Sequence, residues 1–366
     1  MAGLYIHIPF CRKKCAYCNF YSACTETSVV DDFLAALEKE IEKWGGSWGR
    51  PIETLYVGGG TPSVLGEKIA PLIDKIRQNF NITDSCEITV EMNPTENPSE
   101  FLKSAKSVGV DRLSIGAQSG NDNELSLLGR AHTADDTRRC VETARGLGFS
   151  NISLDLMLAL PESDNNSLLK SLEFITDLSP EHISAYILKL EDKTALKANK
   201  TLKFADEEAE AEQYLKTCDF LKSKGFLHYE ISNFAKAGYE SRHNLKYWNL
   251  DEYLGIGPSA HSFFEGERFY YKPDIKGFIK KPEIVFDGTG GDYDEYIMLK
   301  LRLSDGLDLK KFTAIYGDRL TADFSVFCER LKNENLLEFE KEHIRLTDKG
   351  MLLSNTIITE LLERIK

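Results

Sequence analysis

The sequence predicts an α/β fold, a partial barrel of six β/α units followed by a smaller α+β domain. Two observations predict it. Short runs of β-branched residues alternate with segments of helical periodicity through the first two-thirds of the 366-residue chain, which is typical of a parallel sheet covered by helices. After residue 291 the alternation gives way to helices and a hairpin, and the length suits two domains. A doubly wound open sheet is the alternative that the pattern alone leaves open.

Six segments have the composition of strands, and six units favour a partial barrel over a full eight-stranded one. The predicted strands are 4–8, 53–57, 87–92, 112–115, 151–157 and 182–188. The predicted helices between and after them are 29–44, 68–80, 99–108, 135–147 and 166–178. A polar helix over 204–222 and a strand over 227–233 follow.

The chain is expected to divide into residues 1–235, an aromatic-rich connecting segment 236–291 without clear periodicity, and residues 292–366. The last part has predicted helices near 293–303 and 322–333, a hairpin around 337–346 and a closing helix from 349. That order resembles a winged-helix domain. Its 12 Lys and Arg against 15 Asp and Glu disfavour binding to phosphate backbones, so we expect a packing or docking module.

The formal charge of −13 disfavours nucleic acid and anionic lipid as main partners. No apolar run of about 18 residues suggests a membrane-spanning helix. The first residues are strand-like and lack the charged segment and cleavage site of a secretory leader. A cytoplasmic protein is therefore expected.

Cysteines provide the strongest chemical signal. Cys11, Cys15 and Cys18 crowd into one short segment directly after the first predicted strand, whereas four of the other cysteines are scattered along the chain. Thiolates at this spacing can converge on one iron–sulfur cluster. Three ligands leave one iron of a 4Fe-4S cluster open to a cofactor. The alternatives are unrelated thiols or a zinc site, for which Cys24 or His7 would have to serve as fourth ligand.

The Cys-x3-Cys-x2-Cys motif resembles the signature of the radical S-adenosylmethionine (SAM) superfamily. The longer run Tyr5-Ile-His-Ile-Pro-Phe-Cys-x3-Cys-x-Tyr-Cys-Asn-Phe resembles the branch that contains oxygen-independent coproporphyrinogen III dehydrogenase and the HemW haem chaperones. The resemblance implies that SAM chelates the open iron and is cleaved reductively. It also implies a set of SAM-binding residues: Tyr5 near the cluster, Gly59, Gly60 and Thr61 at the methionyl amine, Glu91 at the ribose, Asp155 at the ribose or adenine, Gln118 as a contacting amide, and Arg130 at the methionyl carboxylate.

One segment departs from the pattern of that branch. Asp155-Leu-Met-Leu-Ala-Leu-Pro161-Glu resembles a stretch that commonly reads Asp-Leu-Met-Tyr-Gly-Leu-Pro-Gly. Leu158, Ala159 and Glu162 replace an aromatic residue and two glycines. We therefore expect altered backbone flexibility beside SAM.

Three features resemble the haem chaperones more than the dehydrogenases. Asn19-Phe20 stands where the dehydrogenases have a further cysteine, the chain begins only ten residues before Cys11, and Arg242-His243-Asn-Leu-Lys-Tyr-Trp248 matches a His-Asn-x-x-Tyr-Trp motif. The resemblance implies haem as cargo, with His243 as a candidate iron ligand. His261, in Gly257-Pro-Ser-Ala-His, is a weaker candidate for which we expect a structural role. It also implies a haem-acceptor protein and an electron-donor protein as partners. The alternatives are a structural role for His243 and, for the protein, a radical SAM enzyme acting on coproporphyrinogen III or a related tetrapyrrole.

Overall fold

The computed structural model describes residues 1–24, 27–94, 97–340 and 342–366. Its strands are β1 (Ala2–Ile8), β2 (Ile52–Gly59), β3 (Ile82–Met92), β4 (Arg112–Gln118), β5 (Asn151–Leu158), β6 (His182–Ile187), β7 (Leu227–Glu230), β8 (Asn233–Ala235), β9 (Tyr253–Ile256), β10 (His261–Phe264), β11 (Glu267–Tyr271), β12 (Ile284–Thr289), β13 (Leu307–Asp308), β14 (Leu337–Glu340) and β15 (His343–Leu346). Its α-helices are α1 (Thr27–Gly45), α2 (Ile69–Asn79), α3 (Ser99–Ser107), α4 (Asp122–Leu127), α5 (Ala134–Gly146), α6 (Asn165–Asp177), α7 (Ala195–Ala198), α8 (Glu207–Ser223), α9 (Arg242–Asn249), α10 (Ile275–Lys280), α11 (Tyr293–Lys300), α12 (Leu309–Tyr316), α13 (Ala322–Asn333), α14 (Asp348–Leu352) and α15 (Ser354–Leu362). A 3-10 helix spans Pro62–Lys68.

The main sheet has the order β12-β11-β10-β9-β1-β2-β3-β4-β5-β6-β8-β7. Strands β1 to β6 lie side by side in chain order and pair in parallel. This confirms the predicted β/α units. A doubly wound sheet would reverse its strand order at a switch point, and no reversal occurs among these strands. The sheet continues beyond the units on both sides, since β9 adds in parallel to β1 and β8 adds antiparallel to β6.

The two faces of the parallel strands differ in polarity. In β1, Leu4, Ile6 and Ile8 are fully buried and belong to the apolar core that also contains helix residues such as Phe33 of α1. The alternate residues point to the other face, where Tyr5 hydrogen-bonds His7. The same alternation in β2 to β6 makes one continuous polar inner face. We call the space in front of this face the lumen.

The connecting segment contributes more to the sheet than its sequence indicated. It forms α9 and strands β9 to β12, and β9 pairs with β1 through Gly3–Tyr253 and Tyr5–Gly255. These strands are four to six residues long, too short for periodicity to identify them.

The C-terminal part has its own apolar core, with Phe312, Phe324 and Ile344 at its centre. Its order of helix, strand, two helices and a hairpin follows the winged-helix pattern. It is tied to the main sheet by Asp348, which accepts a hydrogen bond from His228 Nδ1 of β7 at 2.9 Å. Within the described part of the chain, no helix is long and apolar enough to cross a membrane.

Candidate functional site

The residues at the carboxyl ends of β1 to β5 meet at one edge of the sheet, because parallel strands end on the same side. The segment after β1, residues 11–24, carries the clustered cysteines, and we call it the cluster loop. Gly60 and Thr61 follow β2, Asn93 follows β3, and Gln118 ends β4. In β/α barrels this edge is where active sites are built.

Backbone hydrogen bonds hold the cluster loop over this edge. Cys11 N donates to Ala23 O at 3.0 Å, and Ala16 N donates to Leu128 O at 2.9 Å. His7 Nε2 lies 3.0 Å from Tyr21 O, so the inner face of β1 also anchors the loop. Cys11, Cys15 and Cys18 are half-buried, whereas Cys24 is exposed.

The environment of the three thiols suits a group larger than a single ion. Thr61 Oγ1 lies 3.5 Å from Cys11 Sγ, and Arg130 Nη1 lies 3.4 Å from Cys15 Sγ. Cys18 N donates to Cys15 O at 3.3 Å, and burial raises the pKa of the Cys18 thiol. Among the described residues, however, the three thiols do not form a set of ligand atoms within 4.8 Å. One zinc ion with bonds of about 2.3 Å would draw its sulfurs closer than that.

The glycines after β2 let the backbone pass where no side chain would fit. A Cβ on Gly60 would lie 2.6 Å from Phe10 O, and one on Gly59 would lie 2.6 Å from the His7 ring. Gly59 also has a φ of +112°, which side chains rarely adopt. The backbone after β2 is therefore packed directly against β1 and the start of the cluster loop, and a side chain at either glycine would clash with them.

Arg130 links the loop to the sheet. Its Nη2 donates to Asn93 Oδ1 at 2.7 Å, and Asn93 Nδ2 donates to Thr61 Oγ1 at 3.0 Å. The buried Nε of Arg130 has no hydrogen-bond partner in the described structure, so the guanidinium retains an unused donor. Sequence reasoning missed Asn93, although its place just after a strand, two residues past Glu91, is the signal that could have found it.

Two carboxyl groups lie on the inner face below the cysteines. Glu91 accepts hydrogen bonds from Tyr56 Oη at 2.8 Å and Gly59 N at 3.0 Å. Ser114 Oγ donates to Asp155 Oδ1 at 3.3 Å. Burial raises the pKa of Glu91 to about 7 and that of Asp155 to about 6. Both groups can therefore exchange a proton near neutral pH, and both accept hydrogen bonds from hydroxyls.

Gln118 and Tyr5 also lie on or near the lumen. Gln118 is a non-glycine residue with a φ of +68°, an uncommon conformation that is often found at functional sites. Tyr5 lies deeper than the cysteines. Its hydroxyl is 2.9 Å from His7 Nδ1, and its ring lies 6.2 Å from that of Tyr56.

The segment after β5 keeps a glycine-like backbone without the glycines. Ala159 and Glu162 have φ values of +56° and +58°. Ala159 N donates to Gln213 Oε1 at 3.0 Å, and Glu162 Oε1 accepts from Lys203 N at 2.7 Å. These bonds offset the cost of the left-handed conformation, about 1 kcal/mol or more per residue. Two residues that replace glycines therefore hold a left-handed backbone, which glycine would adopt at lower cost.

His243 lies at the opposite end of the lumen from the cysteines. It is 1% exposed, and its Nδ1 and Nε2 lie 2.8 Å from Thr54 Oγ1 and 2.8 Å from Tyr247 Oη. Glu87, near the start of the paired part of β3, accepts from the His243 backbone N. As placed here, His243 has no nitrogen available for haem iron, because both ring nitrogens are engaged in a buried network. The His-Asn-x-x-Tyr-Trp motif closes the floor of the lumen instead.

Comparisons with known proteins agree with this geometry. Residues 5–175 match the model of the radical SAM superfamily, and residues 292–353 match the HemN C-terminal domain. The chain is 36% identical to the heme chaperone HemW of Bacillus subtilis, over 98% of each chain. It is 32% identical to HemW of Haemophilus influenzae, over 97% of this chain and 96% of the relative.

The chain belongs to the HemW family. A solved structure, the coproporphyrinogen III oxidase HemN of Escherichia coli, described as a radical SAM enzyme, has a TM-score of 0.84 with this chain at 25% identity. The match covers 98% of this chain and 89% of that one. The radical SAM core and the C-terminal domain are thus both shared with HemN, and they do not by themselves separate chaperones from enzymes.

Proposed function

We propose that this chain binds haem and transfers it to an acceptor protein, and that it carries a 4Fe-4S cluster and SAM. The observation that carries the proposal is the match along almost the whole chain to heme chaperones named HemW, combined with three half-buried thiols over the carboxyl edge of the sheet. We place this function in the cytoplasm. All eight cysteines are free, which suits a reducing compartment.

The donor set fits the cluster. Cys11, Cys15 and Cys18 would each supply a thiolate, while exposed Cys24 would not. The Thr61 hydroxyl and the Arg130 guanidinium lie against two of the sulfurs, where hydrogen bonds tune the potential of a cluster. When bound, the reduced cluster supplies an electron for the cleavage of SAM.

The residues around the cluster loop fit SAM. The unused Nε donor of Arg130 suits one oxygen of a carboxylate, since hydrogen bonds between two charged groups are strong. The backbone at Gly59 and Gly60, which carries no side chain, suits the methionyl amine together with Thr61. Glu91 and Asp155 suit the ribose hydroxyls, and Gln118 lies at the same edge. Tyr5 would act less directly, by fixing His7 beneath the cluster loop.

Two protein partners follow from this function. An electron donor must reach the cluster, and Arg12, Lys13 and Lys14 are exposed beside the cysteines on a chain whose net charge is −13. This local cationic surface suits an acidic redox protein. A haem acceptor is the other partner.

A second candidate function is a radical SAM enzyme acting on coproporphyrinogen III. The structural similarity to HemN favours it. Phe20 weighs against it, because this residue replaces the further cysteine expected after Cys18 in the dehydrogenases and is 71% exposed.

The test combines transfer and turnover. Anaerobically reconstituted protein is loaded with haem and mixed with an apo-haemoprotein, and transfer is followed by the absorbance of the acceptor. The same preparation is given coproporphyrinogen III, SAM and a reductant. We expect haem to reach the acceptor faster than it dissociates from this chain into solution. We expect no product from coproporphyrinogen III. Product without haem transfer would contradict the chaperone proposal and favour the enzyme.

A further inference from the structure

Few imidazoles of this chain can reach a ligand from solvent. All seven histidines lie in the described ranges, and five are buried: His7, His132, His182, His228 and His243. His261 and His343 are the exposed ones. If haem iron is held by an imidazole, as it is in many haem proteins, the ligand in this conformation must come from these two.

The two exposed imidazoles have different surroundings. His343 Nε2 is engaged by Asp305 O, and its cross-strand neighbours are Asp308 and Glu340. Those carboxylates would repel the propionates of haem. The His261 side chain is 56% exposed, and its ring stacks on Tyr270 with a centroid distance of 4.9 Å and an interplanar angle of 23°.

His261 belongs to a flat surface that spans three strands. His261 of β10 pairs with Tyr270 of β11, which pairs with Val285 of β12. Paired residues share a face, so the three side chains form a row across the sheet. Two strand spacings give a width of about 10 Å, which suits a porphyrin ring. We call this row the edge platform.

The edge platform continues the inner face of the barrel. Tyr5 pairs with Gly255 and Gly3 with Tyr253, and Tyr253 pairs with Phe263 of β10. Because His261 lies two residues from Phe263, it shares that face. At Phe263 the face is covered by Arg268, whose guanidinium carbon lies 4.6 Å from the ring centroid. At His261 it is open, on the same side of the sheet as the lumen.

The charges around the platform fit an iron porphyrin. Asp287 Oδ2 lies 3.8 Å from His261 Nδ1. In many metal sites a carboxylate lies beside the imidazole nitrogen that does not bind the metal. This arrangement leaves Nε2 of His261 for iron. Burial lowers the pKa of His261, which favours the neutral ring that binds metal. Lys272, two residues past Tyr270, is exposed and can pair with a propionate, although it already pairs with Glu283. The lysines of α10 lie on the other side of the sheet, because Phe278 of α10 packs on Tyr271 and on Phe33 of α1.

We propose that haem binds on the edge platform, with His261 as an iron ligand and the Tyr270 ring beneath the porphyrin. This inference rests on the proposed function and deepens it by naming the site. Haem held there would remain accessible from solvent, as cargo that is passed to another protein must.

The test is a haem titration of the full, cluster-loaded chain, followed by the Soret band. His261→Gly should weaken haem binding at least tenfold and shift the band, and added imidazole should restore the wild-type spectrum. His343→Gly, the matched exposed histidine, should bind haem as the wild type does. Tyr270→Leu should weaken binding less than His261→Gly and leave the band position unchanged.

The outcomes separate the site from the function. Wild-type affinity and spectrum in His261→Gly would overturn the edge platform while leaving haem binding intact. A wild-type protein that shows no saturable Soret band would overturn the proposed function itself. Equal losses in His261→Gly and His343→Gly, unaffected by imidazole, would also contradict the assignment, because they would indicate a general effect on surface histidines.

Discussion

Replacing His243 by Ala should destabilise the chain without removing its ability to bind haem. The ring is buried and bridges Thr54 and Tyr247. Its loss leaves two buried hydroxyls without partners, at about 1–3 kcal/mol each. The cavity adds about 2 kcal/mol, the lower end for large-to-small core substitutions. We expect a total near 4 kcal/mol, a large share of the roughly 5–15 kcal/mol that stabilises a typical domain.

Urea denaturation followed by circular dichroism and tryptophan fluorescence measures this loss. His343→Ala is the matched control, and its exposed site should change stability by less than about 0.5 kcal/mol. His243→Gln, which can keep one hydrogen bond, should fall between the two. Haem is then titrated at a temperature where His243→Ala remains folded. If His243→Ala left the urea midpoint unchanged and abolished the Soret band, the structural role would be refuted and His243 would be assigned as the iron ligand.

Three further predictions concern the cluster edge. Alanine at Cys15 should abolish the brown cluster chromophore and its roughly four irons per chain, whereas Cys24→Ala should retain both; iron loss in the latter would contradict a three-thiolate site. Arg130→Lys should weaken SAM binding by about 1.5–3 kcal/mol in calorimetry on cluster-loaded protein, and unchanged affinity would remove Arg130 from the SAM site. Because the raised pKa of Glu91, about 7, keeps its proton bound in the folded state, cluster-free protein should lose at most about 3 kcal/mol of stability as pH rises from about 4.5 to 7. Glu91→Gln should lack this component, and identical pH profiles would contradict it.

Local pattern was enough to predict the six parallel strands and their helices. Residues such as Leu4, Ile6 and Ile8 face helices and alternate with polar residues of the lumen, so composition and period agree there. The cluster loop could equally be predicted from the sequence, because three cysteines at short spacing occur in few other kinds of site. The predicted site residues after β1 to β4 do lie at one edge, although their binding roles remain predictions.

Tertiary context decided the rest. The short strands β9 to β12 carry no period of their own and exist because β1 offers a free edge. The His-Asn-x-x-Tyr-Trp motif resembles a ligand motif in the sequence. However, His243 is buried against Thr54 and Glu87, and both of these partners lie more than 150 residues away in the chain. Conversely, a structural role was expected for His261, and only the tertiary structure shows that its ring is exposed and lies in a row with Tyr270 and Val285.

The central claim is that this chain carries haem as cargo and does not convert a tetrapyrrole as substrate. One mixture tests it. Cluster-loaded protein with SAM and reductant is given equal amounts of haem and coproporphyrinogen III under anaerobic conditions. Protein-bound and free tetrapyrroles are separated by gel filtration and quantified by chromatography. The account predicts about one haem per chain in the protein fraction and full recovery of coproporphyrinogen III. Decarboxylated product, with haem left in the free fraction, would contradict it.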